Sequence, residues 1–239
     1  MGTMNKNSKF KIQNSKLFIL HGWTYSTEKW EPFKESLKKQ NLDVTLLKIP
    51  GLTEELKNVW KLDDYVEWLY KKIGTGKAIL IGHSNGGRIS LAFSLKYPEK
   101  VERLILIDSA GIYHKELSIR LRRFIFKYIA KIGRKITTSQ TLRKMLYKLS
   151  RESDYEKASP IVRQTMQNLI TTDLTNSLNF INIPTLIIWG ENDKITPFKD
   201  GKLMHKLIKN SKLYIVKSAR HSPQFTHTKE VVEEVHEFI

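Results

Sequence analysis

Residues 78–97 read AILIGHSNGGRISLAFSLKY. The apolar run at 78–81 has the length and composition of a strand buried on both faces, as in a parallel sheet. From 85 the chain opens with glycines, keeps an apolar spacing close to the helical period and stops before Pro98, so a helix spans 85–97. Between the two stands Gly82-His83-Ser84-Asn85-Gly86, a G-x-S-x-G set between strand and helix. A turn that tight needs small residues two places before and two places after Ser84. It projects the hydroxyl past the carboxyl end of the strand, and the Asn85 amide points to the same place. A nucleotide-binding turn would instead read G-x-G-x-x-G, which is absent.

The same alternation continues on either side. Short runs rich in Ile, Leu and Val predict strands at 16–20, 44–49, 104–107, 185–189 and 212–217. Helical spacing predicts helices at 27–40, through Trp30, Phe33 and Leu37, and at 62–73, through Leu62, Tyr65, Val66, Leu69 and Ile73. Two more are expected at 200–208 and 229–238. Strand–helix alternation implies an α/β fold with a mostly parallel sheet and helices on both faces. Six to seven strands are expected, one of them early, near 10–13. Residues 111–180 break the pattern and read as helices only. In 116–132, Leu117, Leu121, Phe124, Ile125, Tyr128, Ile129 and Ile132 form one face, with Arg120, Arg123, Lys127 and Lys131 opposite. A second helix carries Leu142, Met145, Leu146 and Leu149. A third starts at Ser159-Pro160, an N-cap followed by proline. We therefore expect a core of 1–110 and 181–239 with a helical cap of 111–180 inserted in it.

The chain has 239 residues, enough for one large α/β domain, and no cysteine. Disulfides, thiolate catalysis and cysteine-based metal sites are excluded. No apolar run reaches the length of a membrane span, and the polar, basic start does not resemble a secretory signal; a cytoplasmic location is expected. Net charge is +17. Residues 112–151 hold 12 Lys/Arg against one acidic residue, Glu116. A solvated basic face, an anionic membrane surface and an acidic substrate are the readings of that block. Nucleic acid is not expected, since no binding module accompanies the charge. The protein is expected as a monomer or homodimer.

A serine hydroxyl needs a base, and the base needs an orienting acid. Asp193 follows the strand at 185–189, and His221 follows the strand at 212–217. Both stand just past carboxyl ends, where open α/β sheets place their sites. Asp108 also follows a strand and is the rival acid; Glu191 reads as solvated. His227 is the rival base, near a helix start, while His205 and His236 lie in helical patterns. A second oxyanion amide is expected from the loop after 16–20, at Trp23, to join that of Asn85. The Trp23 indole and His114, at the cap entrance, are candidate substrate contacts. No His, Asp or Glu cluster has metal-ligand spacing, so no metal and no cofactor are expected.

Leu20-His21-Gly22-Trp23, Pro50-Gly51, the serine turn, Ile107-Asp108-Ser109-Ala110, residues 184–193 (PTLIIWGEND) and Arg220-His221-Ser222-Pro223 together resemble the α/β-hydrolase superfamily. Its small capped esterase, lactonase and C–C-bond hydrolase branches are the most similar, and the resemblance runs from Lys16 onward. It implies Ser84 as nucleophile, His221 as base, Asp193 as acid, and Trp23 and Asn85 as oxyanion donors. Members that cleave haloalkanes or epoxides carry Asp at the turn, so Ser84 argues against both. Position 85 is usually Met, Leu or Gln there; Asn85 makes the pocket floor more polar. The expected reaction is hydrolysis of carboxylic esters, lactones included, of small to medium acyl groups. Thioester or C–C-bond hydrolysis and a non-catalytic receptor are the alternatives.

Overall fold

The computed structural model describes residues 16–24, 26–40, 42–114 and 160–239. The strands are β1 (Lys16–Leu20), β2 (Val44–Leu46), β3 (Ala78–His83), β4 (Val101–Ile107), β5 (Thr185–Gly190) and β6 (Ser211–Val216). They form one six-stranded sheet in the order β2-β1-β3-β4-β5-β6, and every pairing is parallel. The expected early strand at 10–13 lies outside the described residues.

Alternation along the central strands explains why their runs are mostly apolar. Leu17, Ile19, Ile79, Ile81, Ile105, Ile107, Leu186 and Ile188 face one core, with Trp30, Phe33 and Val235. Phe18, Leu20, Leu80, Leu104, Leu106, Ile187 and Trp189 face the other, with Tyr65, Leu69 and Phe93. A strand that buries both faces favours apolar side chains, and the polar exception in β3 is His83, at its carboxyl end. The helices follow the expected periodicity: α1 (Glu31–Lys38), α2 (Leu62–Ile73), α3 (Asn85–Lys96), α4 (Pro160–Thr171), α5 (Phe198–Leu207) and α6 (Thr228–Phe238).

Boundaries differ where proline intervenes. The helix expected at 27–40 splits into a 3-10 turn, Glu28–Trp30, and α1. Pro32 has no N–H to donate, so it is placed in the first turn of an α-helix. The strand expected at 44–49 is only three residues long, because the Ile49 carbonyl accepts the amides of Leu52, Thr53 and Glu54 and turns the chain at Pro50-Gly51.

Of the inserted segment, the helices read at 116–132 and 142–149 lie outside the described residues, as does Ser159. The third is α4, whose described residues run from Pro160 to Thr171. It is pinned to the core by Trp60, whose amide donates to Thr165 Oγ1 at 2.9 Å and whose carbonyl accepts Asn168 Nδ2 at 3.0 Å. The two stems are tied by Leu174 N to Gly111 O at 2.8 Å and Tyr113 N to Asp173 Oδ1 at 3.1 Å. Among the described residues no helix is long and apolar enough to cross a membrane.

All six carboxyl ends share one edge of the sheet. From β1 the chain builds outward to β2, then returns to place β3 on the other side of β1. That reversal leaves a crevice above β1 and β3, where α/β sheets bind ligands.

Candidate active site

Ser84 occupies that crevice. It joins β3 to α3 with φ 52° and ψ −119°. Positive φ is costly for any residue with a Cβ. It is held by Ser84 N to Ile107 O at 3.1 Å and by Ala110 N to Ser84 O at 2.9 Å. The glycines of the motif are steric necessities. A Cβ on Gly86 would overlap the Leu20 carbonyl oxygen, and one on Gly87 the Ser109 hydroxyl. The four non-glycine positive-φ residues described are Ser84, Asp108, Ser218 and Ser222, and all follow carboxyl ends of strands. Backbone strain is thus gathered on the edge that carries Ser84.

The loop after β1 comes against the serine: a Cβ on Gly22 would lie 2.9 Å from Ser84 Cβ. His21 fixes this loop. Its Nδ1 lies 2.8 Å from Gly22 O and its Nε2 3.1 Å from Thr53 Oγ1. A carbonyl only accepts, so Nδ1 carries the proton and Nε2 accepts from Thr53. Burial lowers the His21 pKa and keeps the ring neutral. Trp23, next in the chain, is partly buried against the core.

Asp193 and His221 meet as their positions after β5 and β6 imply. His221 Nδ1 lies 2.7 Å from Asp193 Oδ2. Asp193 Oδ1 accepts the amides of Ile195 at 2.7 Å and Thr196 at 3.2 Å, and Oδ2 also accepts Thr196 Oγ1 at 2.7 Å. These donors fix the carboxylate so that it points at the imidazole.

Asp108, the rival acid, has a different task. Its Oδ2 is 4.0 Å from His221 Nδ1, beyond hydrogen-bond reach. Oδ1 accepts Gly190 N and Oδ2 accepts Ser222 N, each at 2.8 Å. Asp108 therefore laces the loop bearing Asp193 to the loop bearing His221. Burial first, and the neighbouring Asp193 charge second, push its pKa up to about 7.

His83 is buried beside His221, ring centroids 4.9 Å apart, with Nε2 at 3.1 Å from Ser222 Oγ. Burial, then the nearby His221 and His21, hold its pKa well below the usual imidazole value. One expectation needs correcting: His83, Asp108 and His221 do bring ligand-type atoms within 4.8 Å of one another. Linear spacing hid this because they come from three strands. Internal hydrogen bonds already engage Asp108 and the His221 Nδ1, so the cluster has an explanation without a metal.

The remaining candidates lie elsewhere. His114 Nε2 sits 2.8 Å from Asp200 Oδ1 on α5, which ties the chain after β4 to α5. Glu191 is exposed but not merely solvated, since it accepts Ser218 N at 3.1 Å. His205 bonds Ser211 Oγ at 2.9 Å and His227 bonds Thr226 Oγ1 at 2.9 Å, both locally; His236 is exposed. Three contributors were missed from the sequence: the His21 ring, Thr196 and the lacing by Asp108. Thr196 had a signal, a hydroxyl three residues after the acid.

A family model described as alpha/beta hydrolase fold matches residues 17–146 and 137–228. Pimeloyl-[acyl-carrier protein] methyl ester esterase of Legionella pneumophila is 26% identical over 240 residues, covering 95% of this chain and 96% of the relative. The biotin biosynthesis bifunctional protein BioHC of Teredinibacter turnerae is 23% identical over 94% of this chain, which spans 44% of that protein. Among solved structures, the α/β hydrolase MGS-M2 from a Medee basin deep-sea metagenome superposes with a TM-score of 0.74 at 21% identity, over 100% of this chain and 91% of that one.

Proposed function

We propose that this chain, which belongs to the alpha/beta hydrolase fold family, hydrolyses carboxylic esters with Ser84 as nucleophile, His221 as base and Asp193 as acid. The observation that carries the reading is the 2.7 Å contact of His221 Nδ1 with Asp193 on the edge that presents Ser84. With Nδ1–H on the carboxylate, Nε2 is the basic nitrogen, able to take the Ser84 proton as Oγ attacks the acyl carbon. The Asn85 and Trp23 amides hold the oxyanion. The protonated imidazole then passes its proton to the departing alkoxide. Water, deprotonated by the same ring, releases the acid from the acyl-enzyme and restores Ser84. The segment 111–180 would close over the acyl group as a lid.

The test is Ser84→Ala against short 4-nitrophenyl esters. A fall in kcat on the order of 10⁶ is expected; undiminished turnover would sink the reading.

A second reading narrows the substrate. The two curated relatives are named for methyl-ester cleavage on an acyl carrier protein and for biotin biosynthesis. With the net charge of +17, they favour a methyl ester on an acyl chain borne by an acidic carrier. Methanol release from such a carrier-bound ester, absent in Ser84→Ala, is the expected result; release only from free esters would restrict the function to small molecules.

A further inference from the structure

Next to the nucleophile lies a buried polar pair that the mechanism leaves unused. Asn85 contributes its backbone to the oxyanion site, but its side chain has no part in the chemistry. That side chain and Arg88 stand three residues apart on the first turn of α3, so they share a face. Asn85 is 8% exposed and Arg88 5%. Arg88 Nη1 donates to Asn85 Oδ1 at 3.3 Å. A guanidinium has only donors, so this bond orients the amide: oxygen toward Arg88, NH₂ turned away from it. Asn85 Nδ2 and Arg88 Nε then have no hydrogen-bond partner among the described residues.

The charge of Arg88 is also poorly compensated. Burial lowers its pKa to about 10, and only the charge of Asp173 acts the other way. Asp173 already accepts Tyr113 N, Thr175 N and Thr175 Oγ1 through its Oδ1. It lies two residues past the end of α4, so its action on Arg88 turns the Asn85–Arg88 face of α3 toward that end of α4. An apolar side chain at 85 would remove the unpaired amide donor, though it would also take the acceptor from Arg88 Nη1. Two orphaned donors beside a nucleophile cost stability unless a ligand completes them.

We propose that the Asn85 amide, oriented by Arg88, is a donor site for an acceptor oxygen on the acyl chain of the substrate. The favoured substrates are then esters carrying a second carbonyl or carboxylate oxygen, rather than plain alkanoyl esters. This rests on the ester-hydrolase reading and sharpens its substrate class. A site built to hydrogen-bond an oxygen discriminates strongly against the analogue that lacks it.

The experiment compares 4-nitrophenyl pentanoate with 4-nitrophenyl 4-oxopentanoate and with the 4-nitrophenyl ester of monomethyl succinate. In the unaltered protein, kcat/KM should favour an oxygen-bearing ester by about ten-fold or more, the scale of one buried hydrogen bond. In Asn85→Leu that ratio should fall to about one, and Asn85→Gln, which keeps the NH₂, should retain part of it. A ratio near one in the unaltered protein, or the same ratio in Asn85→Leu, overturns the proposal; the first needs no variant to fold. Calorimetric binding of the same esters to Ser84→Ala reads the preference without turnover. Preferential binding with no hydrolysis by the unaltered protein would refute the hydrolase reading and keep the donor site; hydrolysis without preference would do the reverse.

Discussion

At the scale of single residues, two carboxylates stand near one imidazole and do different work. Asp193 is bonded to His221 at 2.7 Å, whereas Asp108 stands off at 4.0 Å and spends both oxygens on backbone amides. Asp193→Asn should therefore lower kcat by about 10⁴, since it loses the anion that fixes the tautomer and stabilises the imidazolium. Asp108→Asn should cost less in kcat and show itself in stability. The Asp108 pKa is raised to about 7 from an ordinary 3.8, so between those values the native state binds a proton that the unfolded state has released. Stability from this group is present below the lower value and is lost as pH rises toward about 7. Chemical denaturation of the two proteins at pH 4, 5.5 and 7 checks this: the downward slope should be shallower in Asp108→Asn. Equal slopes would mean that Asp108 is ionised throughout the range.

At the scale of elements, the turn between β3 and α3 is the most constrained joint in the described fold. Gly86 passes so close to the end of β1 that no Cβ fits, and the clash would be with backbone, which cannot swing aside. Gly86→Ala should push α3 away from β1, lower Tm by several degrees and slow labelling of Ser84 by a fluorophosphonate probe. Full labelling at unchanged Tm would show that the joint can yield. This joint was legible from the sequence because a tight strand-to-helix turn has few solutions, and each demands glycine at fixed places. β1 and α2 were legible to the residue for a related reason: their apolar periods run unbroken to a charged or glycine boundary. The end of β2 was not, because the run rich in Val, Leu and Ile continues to Ile49, and the turn is set by the hydrogen bonds that the Ile49 carbonyl gathers. The lacing by Asp108 was equally hidden, since it joins Gly190 and Ser222 through their amides, and a backbone N–H leaves no mark in a sequence.

At the scale of the whole molecule, charge and chemistry fall in different stretches of the sequence. The described sheet edge holds Ser84, Asp193 and His221, while residues 112–151 concentrate 12 Lys/Arg against one acid. On the cap reading of 111–180, that positive block would meet whatever approaches the site. A field of this kind raises the encounter rate of an anionic partner and does little for a neutral one, and salt screens it within about 10 Å at 0.1 M. Raising salt from about 20 mM to about 500 mM should thus lower kcat/KM for a carrier-borne methyl ester by about ten-fold or more, and leave a neutral 4-nitrophenyl ester within about two-fold. Anionic vesicles separate the membrane alternative. A lipid-docking cap would bring the protein down with them at low salt, whereas a carrier-directed cap would show the rate effect in their absence. Equal salt dependence for both esters, with no vesicle binding, would reduce the basic block to a solvated face and leave substrate choice to the pocket alone.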